Sequence, residues 1–507
     1  MGSFRSRLSE VTGLTLASRI LGLARDVLMF AVLGNGALTA AFLLAFTLPN
    51  LFRRLLGEGA LASSSIPVLT EVAHLQGREP AFALLNALIG RLLVLLLVLL
   101  LMGSGLLFLV RYQPGLAERW YGGAELAMVL MPYMVLVCLS ALLCGMLQVL
   151  GRFALAAANQ IWLNLTMIGA MLAGLYAGPG WAQGTIWLLC GGVLAGGLLQ
   201  VVVPVWGLAR EGWRAGSWWE RNLHLHKVLR LFVPGILGAA LFQINILVTR
   251  LLAFSLNDAA TGLLYIANRL VELPLGLFGI AIATVVFPEM SAHQARGERG
   301  SFKESFAKGL RLTLAITIPA ALGLGLLAEP VLGLLFKWGM FGMEDVREAV
   351  PVLQTAVLGL PFFAASTLLT RAWYAIQQLR VPVFLSLMLV LANLVLGVIF
   401  MRIWGTLGLA LSNVVSSALH CLLLFVLFPL PLGGFGRWRD SVAVLAGLLA
   451  VTTICLAARS LGTPFMASGK TGELILVAVT VPLAAALYFG ILRLFKHQSF
   501  TDLGRDQ

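Results

Sequence analysis

Long apolar runs recur along almost the whole chain, with short polar stretches between them. Clear examples are 92–110, 127–150, 383–400, 443–456 and 474–492. A helix needs about 20 apolar residues to cross the hydrocarbon core of a bilayer. The alternation of apolar and polar residues expected of barrel strands is absent from the sequence, and a helix satisfies its own backbone groups in lipid. The pattern therefore predicts membrane helices throughout.

We count about fourteen predicted spans of roughly 20 residues or more. They begin near Ser9, Leu38, Phe82, Leu126, Leu155, Gly180, Val228, Asp258, Glu304, Val346, Pro382, Gly405, Val442 and Glu473.

Composition and charge agree with a membrane protein. Of the 507 residues, 60% are hydrophobic and only 11% are charged, whereas a soluble domain carries about 25% charged residues. The net charge of +13 comes from lysines and arginines concentrated in alternate loops, which the positive-inside rule assigns to the cytoplasm. Both termini are then cytoplasmic, and nucleic-acid binding is not expected.

A weak internal repeat suggests two lobes. Residues 38–70 and 259–291 each form the second span of a lobe, and each ends with an apolar residue followed by proline, at Pro67 and Pro288. We predict an all-α polytopic membrane protein with a pseudo-two-fold relation between two six-helix lobes and a C-terminal helix pair. The predicted divisions are 1–208 for the first lobe, 209–227 for a cytoplasmic basic loop, 228–430 for the second lobe and 431–507 for the last two spans and a cytoplasmic tail.

The basic loop contains Trp213, Trp218 and Trp219 among arginines. We expect it to lie on an anionic leaflet, as such mixtures do. His224 and His226 have no cysteine or acidic cluster nearby, so neither a metal site nor a cofactor is expected.

Several ionisable residues lie within the predicted spans. Each costs at least ~2.5–3.5 kcal/mol at mid-membrane, so each is a candidate functional residue. They are Arg19, Arg25, Asp26, Arg53, Arg54, Glu58, Arg250, Arg269, Glu272 and Arg371.

The set is strongly positive, and its cations are all arginine. In addition, no lysine precedes Lys227 in the chain. Glu58 follows Arg54 by four residues and Glu272 follows Arg269 by three, spacings that place each pair on one helix face. The guanidinium group binds phosphate oxygens bidentately. The sequence therefore predicts a ligand that carries phosphate or diphosphate.

Other roles remain open for some of these residues. Arg250 and Arg371 are expected to extend towards helix ends and reach the interface, and Arg53 and Arg54 with Glu58 could instead clamp two helices. Bends are expected where proline and glycine interrupt apolar stretches, at Pro49, Gly57, Gly59 and Pro274.

Three segments resemble the bacterial MurJ (MviN) family of lipid II flippases. Residues 18–26, SRILGLARD, are similar to the SRxLGxxRD opening of that family. Residues 48–60, LPNLFRRLLGEGA, resemble its LPNxxRRxxxEGA segment, and residues 267–276, ANRLVELPLG, resemble ADRLxExPxG.

The resemblance implies the fold of the MOP exporter superfamily and transport of lipid II from the cytoplasmic to the periplasmic leaflet of the inner membrane. It places Arg19, Arg25, Arg53 and Arg269 on the family's cavity arginines, with Asp26, Arg54, Glu58 and Glu272 as supporting ion pairs. Lipid II and membrane lipids are the implied partners, and contacts with cell-wall synthesis proteins are compatible with that role. Two departures make the cavity more positive: Ala40 and Asn268 stand where the family has acids.

The alternatives are a flippase for another polyprenyl-diphosphate-linked oligosaccharide and a multidrug antiporter of the same superfamily. A drug antiporter expels cations and should carry early carboxylates, whereas here arginines predominate. An enzyme acting on polyprenyl substrates needs a carboxylate cluster or an activated nucleophile. The acids in the loops are scattered, so no catalytic residue is expected.

Overall fold

The computed structural model describes the backbone at 2–176, 182–216, 218–219, 224–430, 438–467, 469–495 and 498. Side chains are not described at 2–9, 57–60, 62–63, 182–183, 231, 233–235, 237–239 and 463–467. The described part of the chain is almost entirely helical.

The first half begins with a long helix and continues through a span that contains a π-helical segment. Its elements are α1 (Gly2–Leu33), α2 (Ala37–Phe52), the first π segment (Arg53–Leu61), α3 (Ala62–Leu75), α4 (Arg78–Tyr112), α5 (Glu118–Leu130), α6 (Pro132–Val149), α7 (Phe153–Ala157), α8 (Asn159–Tyr176), α9 (Ala182–Arg210) and α10 (Leu225–Leu256).

The second half has the same kind of interrupted span near its start. Its elements are α11 (Ala260–Pro274), the second π segment (Leu275–Gly279), α12 (Ile280–Ala295), α13 (Arg299–Leu326), α14 (Ala328–Phe336), α15 (Met343–Val357), α16 (Leu360–Ala375), α17 (Arg380–Val426), α18 (Trp438–Ala467) and α19 (Lys470–Leu494).

The all-α polytopic membrane fold is confirmed. Among the described residues, ten helices are long and apolar enough to cross a membrane, and 240–256 forms a shorter apolar helix. The 47-residue α17 counts once, although it covers two predicted spans. It breaks at Gly405, where φ is 58° and ψ is −131°, a backbone conformation that only glycine adopts readily. At Gly408 an added Cβ would lie 2.0 Å from the carbonyl oxygen of Phe400, so the two halves of α17 meet in close contact.

The two interrupted spans share a detailed feature that supports the internal repeat. The first π segment starts four residues after Pro49, and the second starts directly after Pro274. Proline removes a helical hydrogen bond, and short π-helical insertions within α-helices are frequent at functional sites. Pro67 in α3 and Pro288 in α12 also occupy comparable places.

Residue contacts divide the chain into two units. The first comprises Met1–Phe254 and Trp338–Phe341, and the second comprises Ser255–Lys337 and Gly342–Gln507. Most of α10 thus packs with the first unit, whereas the sequence places its start at the beginning of the second lobe. The lobe boundaries given above were drawn from the internal repeat in the sequence, and they stay a prediction.

Within the second unit, ion pairs and a hydrogen bond join α18 and α19 to α13 and α14. Arg459 Nη2 lies 3.1 Å from Glu329 Oε2, and Lys337 Nζ lies 2.8 Å from the buried Glu473 Oε1. The hydroxyl of the buried Tyr488 donates to the carbonyl of Ala315 at 2.8 Å. Buried charges persist only when they are paired, so these contacts fix the terminal helix pair to this unit.

The basic loop after α9 differs from the expectation. Trp213 is buried, and its indole N–H donates to Asn86 Oδ1 at 2.9 Å, which ties the loop to α4. Trp219 is 67% exposed and Trp218 is 40% exposed. The expectation that the tryptophans lie on the leaflet is therefore wrong for Trp213, because the protein itself supplies the partner for its N–H.

Candidate anion-binding site

Arg25 is a buried cation of the first unit, with contacts to Asp26, Asn164 and Met167. Its Nε and Nη2 donate to Asp26 Oδ1 at 3.0 and 2.6 Å, and its Nη1 donates to Asn164 Oδ1 at 3.2 Å. Met167 Sδ lies 3.9 Å from the same Nη1. Arg25 is 9% exposed and Asp26 is 1% exposed. A guanidinium ion at this depth needs such charge-assisted bonds to offset its desolvation.

The helix pattern of α1 explains this geometry. Buried positions recur every four residues at Ser18, Gly22, Asp26 and Phe30, which forms one continuous face. That face packs against α8, which carries Asn164. Neighbouring residues on a helix do not normally face each other, so the Arg25 side chain folds over Asp26 to reach its carboxylate.

The other predicted cations of the first unit occupy different surroundings. Arg19 is on the exposed side of α1. Arg53 and Arg54 begin the first π segment and are half-buried, and Arg53 Nε donates to Asn50 Oδ1 at 3.1 Å. The predicted partner of Arg54 is Glu58, whose side chain lies outside the part of the chain that the structure describes. Only the backbone is described at Gly57 and Gly59.

Arg250, six residues before the end of α10, is bonded to a neighbouring helix. From α10 its Nη1 donates to the carbonyl of Leu43 at 3.1 Å and to Thr47 Oγ1, both on α2. The guanidinium is thus satisfied within the protein by a carbonyl and a hydroxyl of α2, and its position relative to the membrane interface stays a prediction.

In the second unit, Arg269 on α11 keeps the partner that its spacing suggests. Its Nη1 lies 3.5 Å from Glu272 Oε2, with the two side chains 28% and 49% exposed. Arg371 on α16 lies over the ring of Phe287, 6.0 Å from its centroid, which is a cation–π arrangement.

Sequence reasoning missed Asn164 and Thr47, the residues that bind two of the arginines. Asn164 lies between Leu163 and Leu165 in the fifth predicted span, and a buried amide in that position requires a polar partner. The sequence thus indicates that Asn164 needs a polar partner, but it does not indicate that this partner is Arg25.

Comparison with known proteins places the chain in a family. The family model described as "Lipid II flippase MurJ" matches residues 29–480. This chain belongs to that family. A relative in Bdellovibrio bacteriovorus named "Probable lipid II flippase MurJ" is 32% identical over 502 residues, with 94% of this chain and 92% of the relative covered.

Solved structures agree on the MurJ fold. A lipid II flippase MurJ in an inward closed conformation matches with a TM-score of 0.76 at 23% identity, covering 97% of this chain and 99% of that one. An inward-facing multidrug resistance MATE family transporter of the MOP superfamily matches with a TM-score of 0.66 at 14% identity, covering 81% and 93%. The predicted MurJ family assignment is confirmed by the family model and the relatives, and the predicted MOP-exporter type of fold is confirmed by the structural matches.

Proposed function

We propose that this MurJ family member flips lipid II, the polyprenyl-diphosphate-linked peptidoglycan precursor, from the cytoplasmic to the periplasmic leaflet of the bacterial inner membrane. The observation that carries the proposal is the family match over residues 29–480, together with relatives named as lipid II flippases. The protein acts as a transporter and not as an enzyme, and both of its termini are proposed to face the cytoplasm.

The diphosphate is proposed to bind to arginines, namely Arg19, Arg25, Arg53 and Arg269. Support comes from Arg25, a buried guanidinium whose cost in an apolar environment calls for a function. The planar fork of arginine matches the oxygens of a diphosphate. Asp26 and Glu272 contact two of these arginines, so each keeps a counterion when the substrate has left.

Transport is proposed to follow alternating access. The π segments after Pro49 and Pro274 support it, since they interrupt the regular hydrogen bonding of the two spans that carry Arg53 and Arg269. Such interruptions are where membrane helices bend.

A complementation experiment tests the proposed function. A bacterium whose own lipid II flippase can be depleted is made to express this protein, and we expect growth and normal shape to be restored. Arg25→Ala should not rescue, whereas Arg78→Ala should, because Arg78 is an exposed partner of Glu211. Failure of the wild-type chain to rescue despite normal insertion would overturn the proposal. Rescue only of a strain lacking another polyprenyl-diphosphate oligosaccharide flippase would identify that substrate instead.

A further inference from the structure

Asn164 joins two parts of α1 from a position on α8. Its Nδ2 donates to the backbone carbonyl of Ser18 at 3.1 Å, and its Oδ1 accepts from Arg25 Nη1 at 3.2 Å. Asn164 is 2% exposed, so water does not compete for either bond. One carboxamide therefore spans nearly two turns of α1.

The two bonds determine which way the amide points. A carbonyl accepts and cannot donate, so Ser18 must face the NH₂ group of Asn164. The amide oxygen is then turned towards Arg25. The backbone of α1 thus orients the amide oxygen of Asn164. That oxygen accepts a hydrogen bond from Arg25, which is on the same helix.

Arg25 is consequently held on two edges of its plane. Asp26 Oδ1 accepts from Nε and Nη2, and Asn164 Oδ1 accepts from Nη1. The bonds to Asp26, on the same helix, hold one edge of the guanidinium plane. Asn164 constrains the Nη1 side from α8 without adding charge, so the Arg25–Asp26 pair stays formally neutral and does not become anionic.

We propose that Asn164 is a positioning residue for substrate binding, which fixes the guanidinium plane of Arg25 for the diphosphate. The inference rests on the proposed function, in which Arg25 binds that group. A neutral amide suits the task because a carboxylate here would give the local cluster a net negative charge and repel an anionic ligand.

The test measures binding of undecaprenyl diphosphate to the purified full chain in nanodiscs, with undecaprenyl monophosphate as the comparison ligand. Asn164→Ala should raise the Kd for the diphosphate about tenfold, the ratio expected for one lost hydrogen bond to a charged group. Asn164→Asp should weaken binding further. Asn159→Ala is the matched control, since Asn159 is also on α8 but donates to Ser140 Oγ on α6 at 2.6 Å.

A double-variant comparison separates positioning from helix packing. In an Arg25→Ala background, Asn164→Ala should change the Kd by less than about twofold, because its target is gone. An undiminished effect in that background, or an effect no larger than that of Asn159→Ala, would overturn the positioning role. If Asn164→Ala proves poorly folded, Asn164→Gln decides the same question at matched thermal stability, because it keeps a neutral amide but moves the acceptor by one methylene; wild-type binding by Asn164→Gln would then overturn the positioning role.

The proposed function fails in a different way. If the wild-type protein does not prefer the diphosphate to the monophosphate, or if Arg25→Ala leaves the Kd unchanged, diphosphate recognition by Arg25 is wrong. If those two results come out as expected and Asn164→Ala alone has no effect, only the positioning role is wrong.

Discussion

The buried pair Arg25–Asp26 allows stability and transport to be separated by substitution. Replacing Asp26 with alanine would leave a guanidinium that is 9% exposed without its carboxylate. Replacing Arg25 alone would leave a carboxylate that is 1% exposed without its guanidinium. Breaking a buried ion pair from one side costs about 3–5 kcal/mol, whereas removing both partners costs much less.

We therefore expect each single alanine variant to unfold more easily than the double variant Arg25→Ala/Asp26→Ala. The separation of 2.6 Å between Arg25 Nη2 and Asp26 Oδ1 places the pair in the range of strong charge-assisted bonds. The coupling in a double-mutant cycle is the sum of the two single-variant costs less the cost of the double variant. Because the double variant should cost less than either single one, we expect a coupling of about 3 kcal/mol or more.

The assay is equilibrium unfolding in a titration of sodium dodecyl sulfate, followed by far-ultraviolet circular dichroism. The same variants are compared for lipid II flipping in a substrate-accessibility assay in cells. The double variant should recover stability and remain inactive, because it lacks the guanidinium that binds the diphosphate. Additive single effects would refute the buried coupling, and a double variant that flips lipid II would refute the role of Arg25.

Three further predictions follow from other contacts. Arg269→Ala should abolish flipping in the same cell assay without loss of insertion, and Arg269→Lys should restore little, because an ammonium cannot bind a diphosphate bidentately; wild-type flipping by both would refute this. Gly408→Ala should lower the melting temperature in detergent, since the new Cβ would lie 2.0 Å from the Phe400 oxygen. Gly490→Ala is the control and should be neutral, because no atom lies within 4 Å of a Cβ there. Equal melting temperatures for the two variants would contradict this prediction. Arg250→Ala should destabilise the protein by about 1.5–3 kcal/mol through loss of its hydrogen bonds to α2. The same detergent titration measures this, and an unchanged midpoint would show that α10 does not depend on these bonds.

The sequence was sufficient for the helices because long apolar runs have few alternatives in lipid. The break at Gly405 was also predicted, since two spans were separated there. The π segments were not predicted, because proline signals a bend without specifying how the neighbouring hydrogen bonds rearrange. The short α14 was missed for a related reason, as nine residues are too few to appear as a span.

The candidate site was only partly predictable. The i, i+3 spacing of Arg269 and Glu272 predicts their ion pair, which the structure shows at 3.5 Å. The partner of Arg250 lies 207 positions away, and that of Trp213 lies 127 positions away. Periodicity within one helix carries no information about such contacts, so both residues were assigned to the membrane interface and both proved to be satisfied within the protein.

The adjacency of Arg25 and Asp26 also bears on how the chain enters the membrane during synthesis. An uncompensated Arg25 in α1 would cost at least ~2.5–3.5 kcal/mol at the moment of insertion. Asp26 is synthesised immediately after Arg25, so the helix can leave the translocon with its charge already compensated. Asn164 emerges 139 residues later, when α8 is made. The carboxylate thus supports insertion of α1 from the start, and the amide bond to Arg25 forms only once α8 has joined the bundle.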